Sequence, residues 1–450
     1  MGQRRAKIAG LNNMKLNWFS PLPPAKTDIA HYTKRVLPEL SRLAQVTLWT
    51  DQPEWETDVE EFAAVRRYRL DRMQWADLNL ADANIYQIGN NPLFHGAIWQ
   101  ISRLHAGVVV LHDFHLHHFF DGLYRVQWRD LNSYMAVMER YYGEEGRRDA
   151  AESFRNEARN IQYMAEHYPL TQLAIENALG VLVHTQESYD ALAAGAPSPI
   201  AYAPLPFGAS SQSMATRRQK VDGPPYRLIV FGYIGRNRRL VAVLKALAEL
   251  PEKDQLQLDV YGSTLDEEKQ LRALIRTLDL KRQVTLHGFA PEAKLDEALA
   301  GAHLAINLRY PTMGEASGSQ LRIWAHRLPS LVSQVGWYGS LPADAVRFVR
   351  TDENEVADIK LHLRTFLADP ASSAAMGERG RKELEEKHAP EQYAKTIVEL
   401  AARAQKFRPR AAALKLADRA GVLVSEWLGP NPNSESCRNI AREILNLAGE

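Results

Sequence analysis

The feature that most constrains the fold is a repeated alternation of short apolar segments with longer segments of helical periodicity. The apolar segments that read as strands cover residues 15–19, 45–49, 84–88, 107–111, 180–184, 227–231, 257–261, 284–286, 304–308, 330–333 and 346–349. Such continuous apolar runs are typical of parallel strands that are buried on both faces, with the intervening helices as their cover. The pattern therefore predicts an α/β fold built from doubly wound parallel sheets.

A segment rich in proline and small polar residues divides these strands into two sets. It covers residues 203–225 and includes the polar stretch 210–223, a composition that marks a linker rather than a core element. A length of 450 residues also exceeds what one hydrophobic core usually supports. We therefore expect two Rossmann-like domains, residues 1–208 and 209–387, that face a central cleft.

Two further segments are helical in pattern. Residues 123–177 are rich in aromatic side chains and contain an internal stop at Gly143, and we expect them to form a helical insert in the first domain. Residues 388–450 restart a helix near Pro390, which a proline in the first turn permits, and are expected to pack on the first domain. Because basic and apolar side chains interleave in this second segment, a helix on a membrane surface remains an alternative.

Charge and cysteine content exclude several classes of function. Lys and Arg total 55 against 54 for Asp and Glu, so no strong positive field favours nucleic acid. The single cysteine, Cys437, has no internal disulfide partner and cannot build a thiolate zinc site, which fits a reducing cytoplasm. Residues 1–11 lack the apolar core of a secretory signal. No run approaches the roughly 18 apolar residues that span a bilayer, so any membrane contact would be peripheral, at the inner face.

A loop of small residues follows the apolar segment 304–308 and leads into a helical pattern. It contains Glu315 and then Ser317, Gly318 and Ser319. Free N–H groups at a helix N-terminus suit a phosphate, and ligands of open α/β sheets bind where strands end. Because a carboxylate accepts hydrogen bonds from hydroxyls, the loop fits a ligand with phosphate and polyol parts. The alternative is a simple joint in which Glu315 complements the helix dipole.

The loop after the segment 227–231 combines glycines with arginines. Its candidate ligand-binding residues are Gly232, Tyr233, Arg236, Arg238 and Arg239. Glycine lets the backbone approach a ligand, and guanidinium groups bind a diphosphate through paired hydrogen bonds. The alternative is a cluster of solvated charges. Together with the Glu315 loop, this pattern predicts a site for a nucleotide-diphosphate sugar.

Histidines cluster where the apolar segment 107–111 ends. His112 and Asp113 come directly after it, and three further histidines follow up to His118. A neutral histidine at a strand end can exchange a hydrogen bond with a substrate hydroxyl, and a capping role is the alternative. No second cluster completes a tetrahedral zinc site, so we expect neither a metal nor a cofactor beside the substrate.

Two loops of the first domain are further candidates for lining the cleft. The proline-rich loop after the first predicted strand contains Pro24, Lys26 and Asp28, and the loop after the third contains Asn90. A structural turn is the alternative for each loop.

Four of these motifs occur in the order found in a known family. They are Ser-Pro-Leu-Pro-Pro-Ala-Lys at residues 20–26, Val-Leu-His-Asp at 110–113, the loop 232–239, and the loop 309–319 with residues 335–337 after it. Over roughly residues 14–405 the chain therefore resembles the family 4 retaining glycosyltransferases, which have the GT-B fold of two Rossmann-like domains.

The resemblance implies roles for individual residues. His112 would contact the donor sugar near its 6-hydroxyl, and Glu315 would bind the ring hydroxyls. The amides of residues 317–319 would meet the diphosphate, and Arg238 would stand where the family has a phosphate-binding lysine. The implied activity is the metal-independent transfer of a hexose, with retained configuration, from a nucleotide sugar to a glycan, lipid-linked or protein acceptor on the first domain, as in polysaccharide biosynthesis.

The chain departs from the family pattern at three positions. Ile323 stands where a second glutamate usually binds the ribose, Tyr233 where an arginine is common, and Asp28 where a glycine is common. These departures keep two alternatives open. One is a non-catalytic GT-B-like binding protein, and the other is an enzyme similar to nucleotide-sugar 2-epimerases.

Overall fold

The chain divides into two compact units. The computed structural model describes residues 14–155, 157–208, 223–264, 267–428 and 435–446. The first unit comprises Met1–Ala203 with Glu391–Glu450, and the second unit comprises Pro204–Pro390. Residues 1–11 and most of the polar stretch predicted as a linker lie outside the described residues.

The first unit contains a seven-stranded sheet in which all neighbouring strands are parallel. Its strands are β1 (Met14–Phe19), β2 (Ala44–Thr50), β3 (Ala64–Arg67), β4 (Ala83–Ile88), β5 (Val108–Leu111), β6 (Gly180–Val183) and β7 (Ile200–Tyr202). The spatial order is β3-β2-β1-β4-β5-β6-β7. Because the order reverses between β1 and β4, the carboxyl ends of these strands form a switch point of the kind at which open α/β sheets bind ligands.

Helices connect these strands. They are α1 (Asp28–Ser41), α2 (Trp75–Leu78), α3 (Pro92–Leu104), α4 (His117–Asp121), α5 (Leu131–Glu152), α6 (Ile161–His167), α7 (Thr171–Ile175) and α8 (Gln186–Ala193). A π-helical segment, Gly122–Gln127, follows α4. The predicted interruption of the insert is confirmed, because Gly143 inside α5 has a φ of 67° and a ψ of −164°.

The second unit repeats the same architecture with six parallel strands. They are β8 (Tyr226–Phe231), β9 (Leu256–Tyr261), β10 (Val284–Gly288), β11 (Leu304–Asn307), β12 (Ser330–Ser333) and β13 (Arg347–Val349). Their order is β10-β9-β8-β11-β12-β13, so β8 and β11 are neighbours across the reversal. The Arg238 loop follows β8 and the Glu315 loop follows β11, which places both at this switch point.

The helices of the second unit and of the C-terminal segment follow the strands in sequence. They are α9 (Leu240–Ala248), α10 (Glu268–Thr277), α11 (Glu292–Gly301), α12 (Gly318–Ala325), α13 (Gly336–Gly339), α14 (Glu355–Ala368), α15 (Pro370–Lys387), α16 (Pro390–Leu428) and α17 (Glu435–Asn446). Along α16, Tyr393, Ile397 and Leu400 are buried in the first unit. No helix within the described ranges has the length and apolarity needed to cross a bilayer.

The prediction of two doubly wound parallel sheets is confirmed, and each of its strands is present to within two residues at either end. All four residues of β5 and all four of β6 are buried, which explains why these strands read as continuous apolar runs. Two strands were not predicted. The edge strand β3 reads Ala-Val-Arg-Arg and is mostly exposed, and β7 has only three residues.

Candidate functional site

Arg238 lies at the switch point of the second unit and is buried. Its Nη1 donates a hydrogen bond to Asn307 Oδ1 at 2.7 Å, and its Nη2 donates to Ser319 Oγ at 3.3 Å. Gly232 makes room for this guanidinium: it has a φ of 106°, and a Cβ there would stand 2.6 Å from Arg238 Nη2. The structure thus brings together three predicted site residues, Gly232, Arg238 and Ser319.

A chain of buried polar side chains continues from Arg238. Asn307 Nδ2 donates to Gln320 Oε1 at 3.0 Å, and Gln320 Nε2 donates to Ser330 Oγ at 2.8 Å. Buried polar groups of this kind are costly unless they are paired, so a satisfied network fixes the positions of its members. Sequence reasoning missed Asn307 as a site residue. The available signal was a polar residue near the end of the otherwise apolar segment 304–308.

The other two arginines of the loop form ion pairs. Arg239 has a φ of 55° and binds Glu355, its Nε and Nη2 donating at 2.8 and 2.6 Å. Arg236 Nε donates to Glu267 Oε1 at 3.0 Å, and its side chain is 89% exposed. Arg239 therefore links the start of α9 to the start of α14. Tyr233 is exposed.

The carboxylate of Glu315 is folded back on its own loop. Its Oε2 accepts from the backbone N–H of Met313 at 2.6 Å, and its Oε1 lies 3.4 Å from Arg309 Nε. Gly314, with a φ of 73°, makes the turn that permits this geometry. The side chain of Glu315 is 18% exposed.

The N-terminus of α12 starts at Gly318. Ser317 is buried and caps the helix, since its Oγ accepts from Gln320 N at 3.1 Å. The amides of Gly318 and Ser319 lie in the first turn of the helix, just before the capped amide of Gln320. Partial positive charge in this turn suits an anion. Both residues are partly exposed.

Ile323 belongs to the core rather than to the loop. Its side chain is fully buried in a cluster with Ile229, Phe231 and Leu299. A carboxylate at position 323 would be surrounded by apolar side chains, at a prohibitive cost in desolvation. The position at which the resemblance would place a ribose-binding glutamate is therefore a packing position in this chain.

His112 follows β5 in the first unit. Its backbone N–H donates to Ile88 O at 2.9 Å, and its Nε2 lies 2.8 Å from Gln87 Oε1. The ring packs edge-on against Tyr32, with centroids 4.8 Å apart, and lies 5.3 Å from the ring of His184. Burial, together with nearby imidazoles, holds the pKa of His112 well below its ordinary value. His112 is therefore neutral at physiological pH.

Asn90 and Asp113 tie two loops of the first unit together. Asp113 Oδ2 accepts from Asn90 N at 2.8 Å. The Asn90 side chain donates from Nδ2 to His115 O and accepts at Oδ1 from Phe119 N, both at 2.9 Å. Its amide thus stabilises the loop that leads into α4.

The proline-rich loop exposes its three candidate residues. Pro24, Lys26 and Asp28 are all exposed, and Asp28 is the first residue of α1. Thr27 caps this helix through a hydrogen bond from Ile29 N at 3.4 Å. A negative charge at a helix N-terminus complements its dipole, so Asp28 has a structural role as well.

Two of the remaining histidines of the cluster make local hydrogen bonds. His115 Nδ1 lies 2.7 Å from Ala165 O. His117 bridges Tyr168 O, at 2.6 Å from its Nδ1, and the Tyr134 hydroxyl, at 2.8 Å from its Nε2. Within the described part of the chain, no group of three His, Cys, Asp or Glu side chains is placed to hold a metal ion.

Comparison with solved structures identifies the fold as GT-B. The sucrose-phosphate synthase of Thermosynechococcus elongatus is 17% identical, with a TM-score of 0.59 over 87% of this chain and 98% of its own. HepE of Anabaena, solved in complex with UDP-glucose, is 14% identical, with a TM-score of 0.56 over 86% and 99%. WaaG, a glycosyltransferase involved in lipopolysaccharide biosynthesis, is 16% identical, with a TM-score of 0.53 over 85% and 98%. At these identities the likeness concerns the fold.

A more specific match falls on the second unit. Residues 214–383 match the family model described as Glycosyl transferases group 1, and they contain the Arg238 loop, the Glu315 loop and α12. A comparison with curated protein sequences gives no match. The group 1 domain and the GT-B fold together support glycosyl transfer from a nucleotide sugar.

Proposed function

We propose that the protein is a retaining, metal-independent hexosyltransferase of family 4. One observation carries the proposal: within the matched domain, buried Arg238 joins the loop after β8 to Ser319 at the start of α12. A guanidinium beside a helix N-terminus is suited to a diphosphate. Glu315 on the adjoining loop is suited to the hydroxyls of an attached sugar.

The proposed mechanism places positive charge where negative charge develops. As the bond from the anomeric carbon to the phosphate oxygen breaks, its electron pair passes to the diphosphate. Arg238 and the amides of Gly318 and Ser319 then stabilise that leaving group. The acceptor oxygen bonds to the same face of the anomeric carbon and gives its proton to the departing phosphate, which retains the configuration and calls for no metal.

A UDP-linked hexose is the first donor to test. HepE is recorded in complex with UDP-glucose, and sucrose-phosphate synthase is among the similar structures. The likeness to WaaG supports a glycan or lipid-linked acceptor on the first unit, with His112 facing a substrate hydroxyl. A location at the inner face of a membrane rests on the basic side chains of α16.

Calorimetry and thermal-shift measurements with UDP, GDP, ADP, dTDP and CMP and their sugar conjugates, made in parallel in EDTA and in Mg²⁺, test the proposal. Selective binding of one nucleoside diphosphate, followed by transfer of its sugar in EDTA, is the expected result. Binding that requires a divalent cation would contradict the metal-independent mechanism. No binding to any of these nucleotides would favour the non-catalytic alternative.

A further inference from the structure

Gln87 is a polar residue in the middle of a buried sheet. It belongs to β4, whose six residues are all buried, and its own side chain is fully so. Burying an amide without a hydrogen bond costs about 1–3 kcal/mol. The Gln87 carbonyl oxygen lies 2.8 Å from Nε2 of His112, which directly follows the neighbouring strand β5, whereas the Gln87 amide nitrogen has no hydrogen-bond partner among the described residues. An apolar residue would suit this strand better unless the contact with His112 matters.

The contact determines where His112 carries its proton. In the structure the amide oxygen of Gln87 is the atom that faces His112 Nε2, and an amide oxygen only accepts hydrogen bonds, so this arrangement places the proton of the neutral imidazole on Nε2. Nδ1 then holds a lone pair. His112 as a residue is intermediate in burial, and none of the described residues forms a hydrogen bond with its Nδ1.

The surroundings of His112 hold the ring in one orientation. Tyr32 and His184 contact it, and Tyr393 of α16 stands behind both, 5.4 Å from the Tyr32 ring and 5.9 Å from the His184 ring. The backbone oxygen of Gln87 lies 2.9 Å from His95 Nδ1. One residue of β4 therefore contacts two histidines, one through its side chain and one through its backbone.

We propose that Gln87 is a positioning residue that fixes His112 as the neutral Nε2–H tautomer and presents Nδ1 as a hydrogen-bond acceptor to a substrate hydroxyl. His112 then receives a hydrogen bond from the substrate and does not supply a proton to it. The role toward a substrate rests on the proposed glycosyl transfer, whereas the tautomer is a property of the free protein and can be measured without any ligand.

The test is nitrogen-15 NMR of the histidine side chains in the full chain at neutral pH, with His112→Asn to assign the signal among the 14 histidines. In the wild-type protein we expect a single tautomer with the proton on Nε2 and slow exchange of that proton with water. Gln87→Leu removes the acceptor, so the proton should exchange rapidly. Gln87→Glu keeps an acceptor and should raise the pKa of His112, because a carboxylate stabilises the imidazolium.

Gln100→Leu is the matched control. Gln100 on α3 donates to Gly96 O at 3.3 Å and is only partly buried, so its replacement should leave the His112 signal unchanged. A wild-type proton on Nδ1, or an unchanged His112 signal in Gln87→Leu, would overturn the proposal. If Gln87→Leu does not fold, the pKa of His112 in Gln87→Glu decides, and an unaltered value would overturn it. Failure of the nucleotides to bind would refute the proposed function and leave this result standing.

Discussion

Arg239 and Glu355 form an ion pair with two hydrogen bonds, at 2.8 and 2.6 Å. The Glu355 side chain is 5% exposed and that of Arg239 is 34% exposed. Because this pairing compensates the charge of Arg239 within the protein, the guanidinium serves the packing of α9 against α14. Arg238 is therefore the better candidate for a diphosphate.

We expect Glu355→Gln to destabilise the protein. The amide cannot accept both hydrogen bonds, and Arg239 loses a partly buried counter-ion, so the free energy of unfolding should fall by about 1–3 kcal/mol. Urea titration measures this change. Glu378→Gln removes the partner of Arg327 in an exposed pair and should cost less than about 1 kcal/mol. Equal effects in the two variants would contradict the structural role of Glu355.

Arg238→Ala should weaken the binding of a nucleoside diphosphate. Loss of a charge-assisted contact corresponds to about 1.5–3 kcal/mol, or at least about a tenfold rise in Kd, measured by calorimetry. Arg276 on α10 is exposed, so Arg276→Ala is the control for a general loss of positive charge. This variant should bind the nucleoside diphosphate with the affinity of the wild type. Unchanged affinity in Arg238→Ala would remove Arg238 from the site.

Glu315→Gln should abolish transfer while sparing the fold. The amide retains one acceptor oxygen for the N–H of Met313 but no longer offers a second oxygen to a sugar hydroxyl. We expect the rate of transfer to fall by roughly 100-fold or more, with a small change in Tm. The exposed Glu297→Gln should keep full activity. A fully active Glu315→Gln would exclude the carboxylate from the mechanism.

The free energy of unfolding should decrease as the pH falls through the range in which two buried histidines differ in protonation between the folded and unfolded states. Burial lowers the pKa of His95 and of His117 to about 4 in the folded state, against about 6.5 in the unfolded chain. As the pH falls, the unfolded state therefore takes up protons before the folded state does. The contribution of each neutral histidine to the free energy of unfolding is complete above about pH 6.5 and is lost as the pH falls toward 4. Between pH 7 and 5, urea titration should show a loss of about 2 kcal/mol for each histidine. In His117→Gln the loss of unfolding free energy between pH 7 and 5 should be smaller by about 2 kcal/mol. An unaltered pH dependence in this variant would contradict the low pKa of His117.

Gly143→Ala should lower the free energy of unfolding because of backbone conformation alone. No atom lies within 4 Å of a Cβ at this position, but the φ of 67° and ψ of −164° belong to a region that side chains avoid. We expect a loss of about 1–3 kcal/mol in the free energy of unfolding. Gly195 is equally open and has no positive φ, so Gly195→Ala should change stability by less than about 1 kcal/mol. Similar losses in both variants would refute the argument.

The strands were predictable because parallel strands buried on both faces leave a continuous apolar signal, as in β5 and β6. The edge strand β3 lacks that signal, since its arginines face solvent. For the candidate site, the glycines and the charged residues were visible in the sequence, but their partners were not. Arg238 and Asn307 are 69 residues apart in the chain. They are in contact only because β8 and β11 are neighbours in the sheet. Gln87 likewise becomes informative only once β4 is paired with β5.

The first unit is completed by a segment that follows the second unit in the chain. Tyr393 and Ile397 of that segment are buried in the first unit, so a ribosome must translate the whole of the second unit before these side chains exist. Domains generally fold as units during synthesis, starting from the N-terminus. The second unit begins later in the chain, but all of its residues are synthesised before the first unit is complete. Until residues 391–450 are made, part of the apolar surface of the first unit stays uncovered. Chaperone demand in the cell should therefore fall on the N-terminal half of the nascent protein.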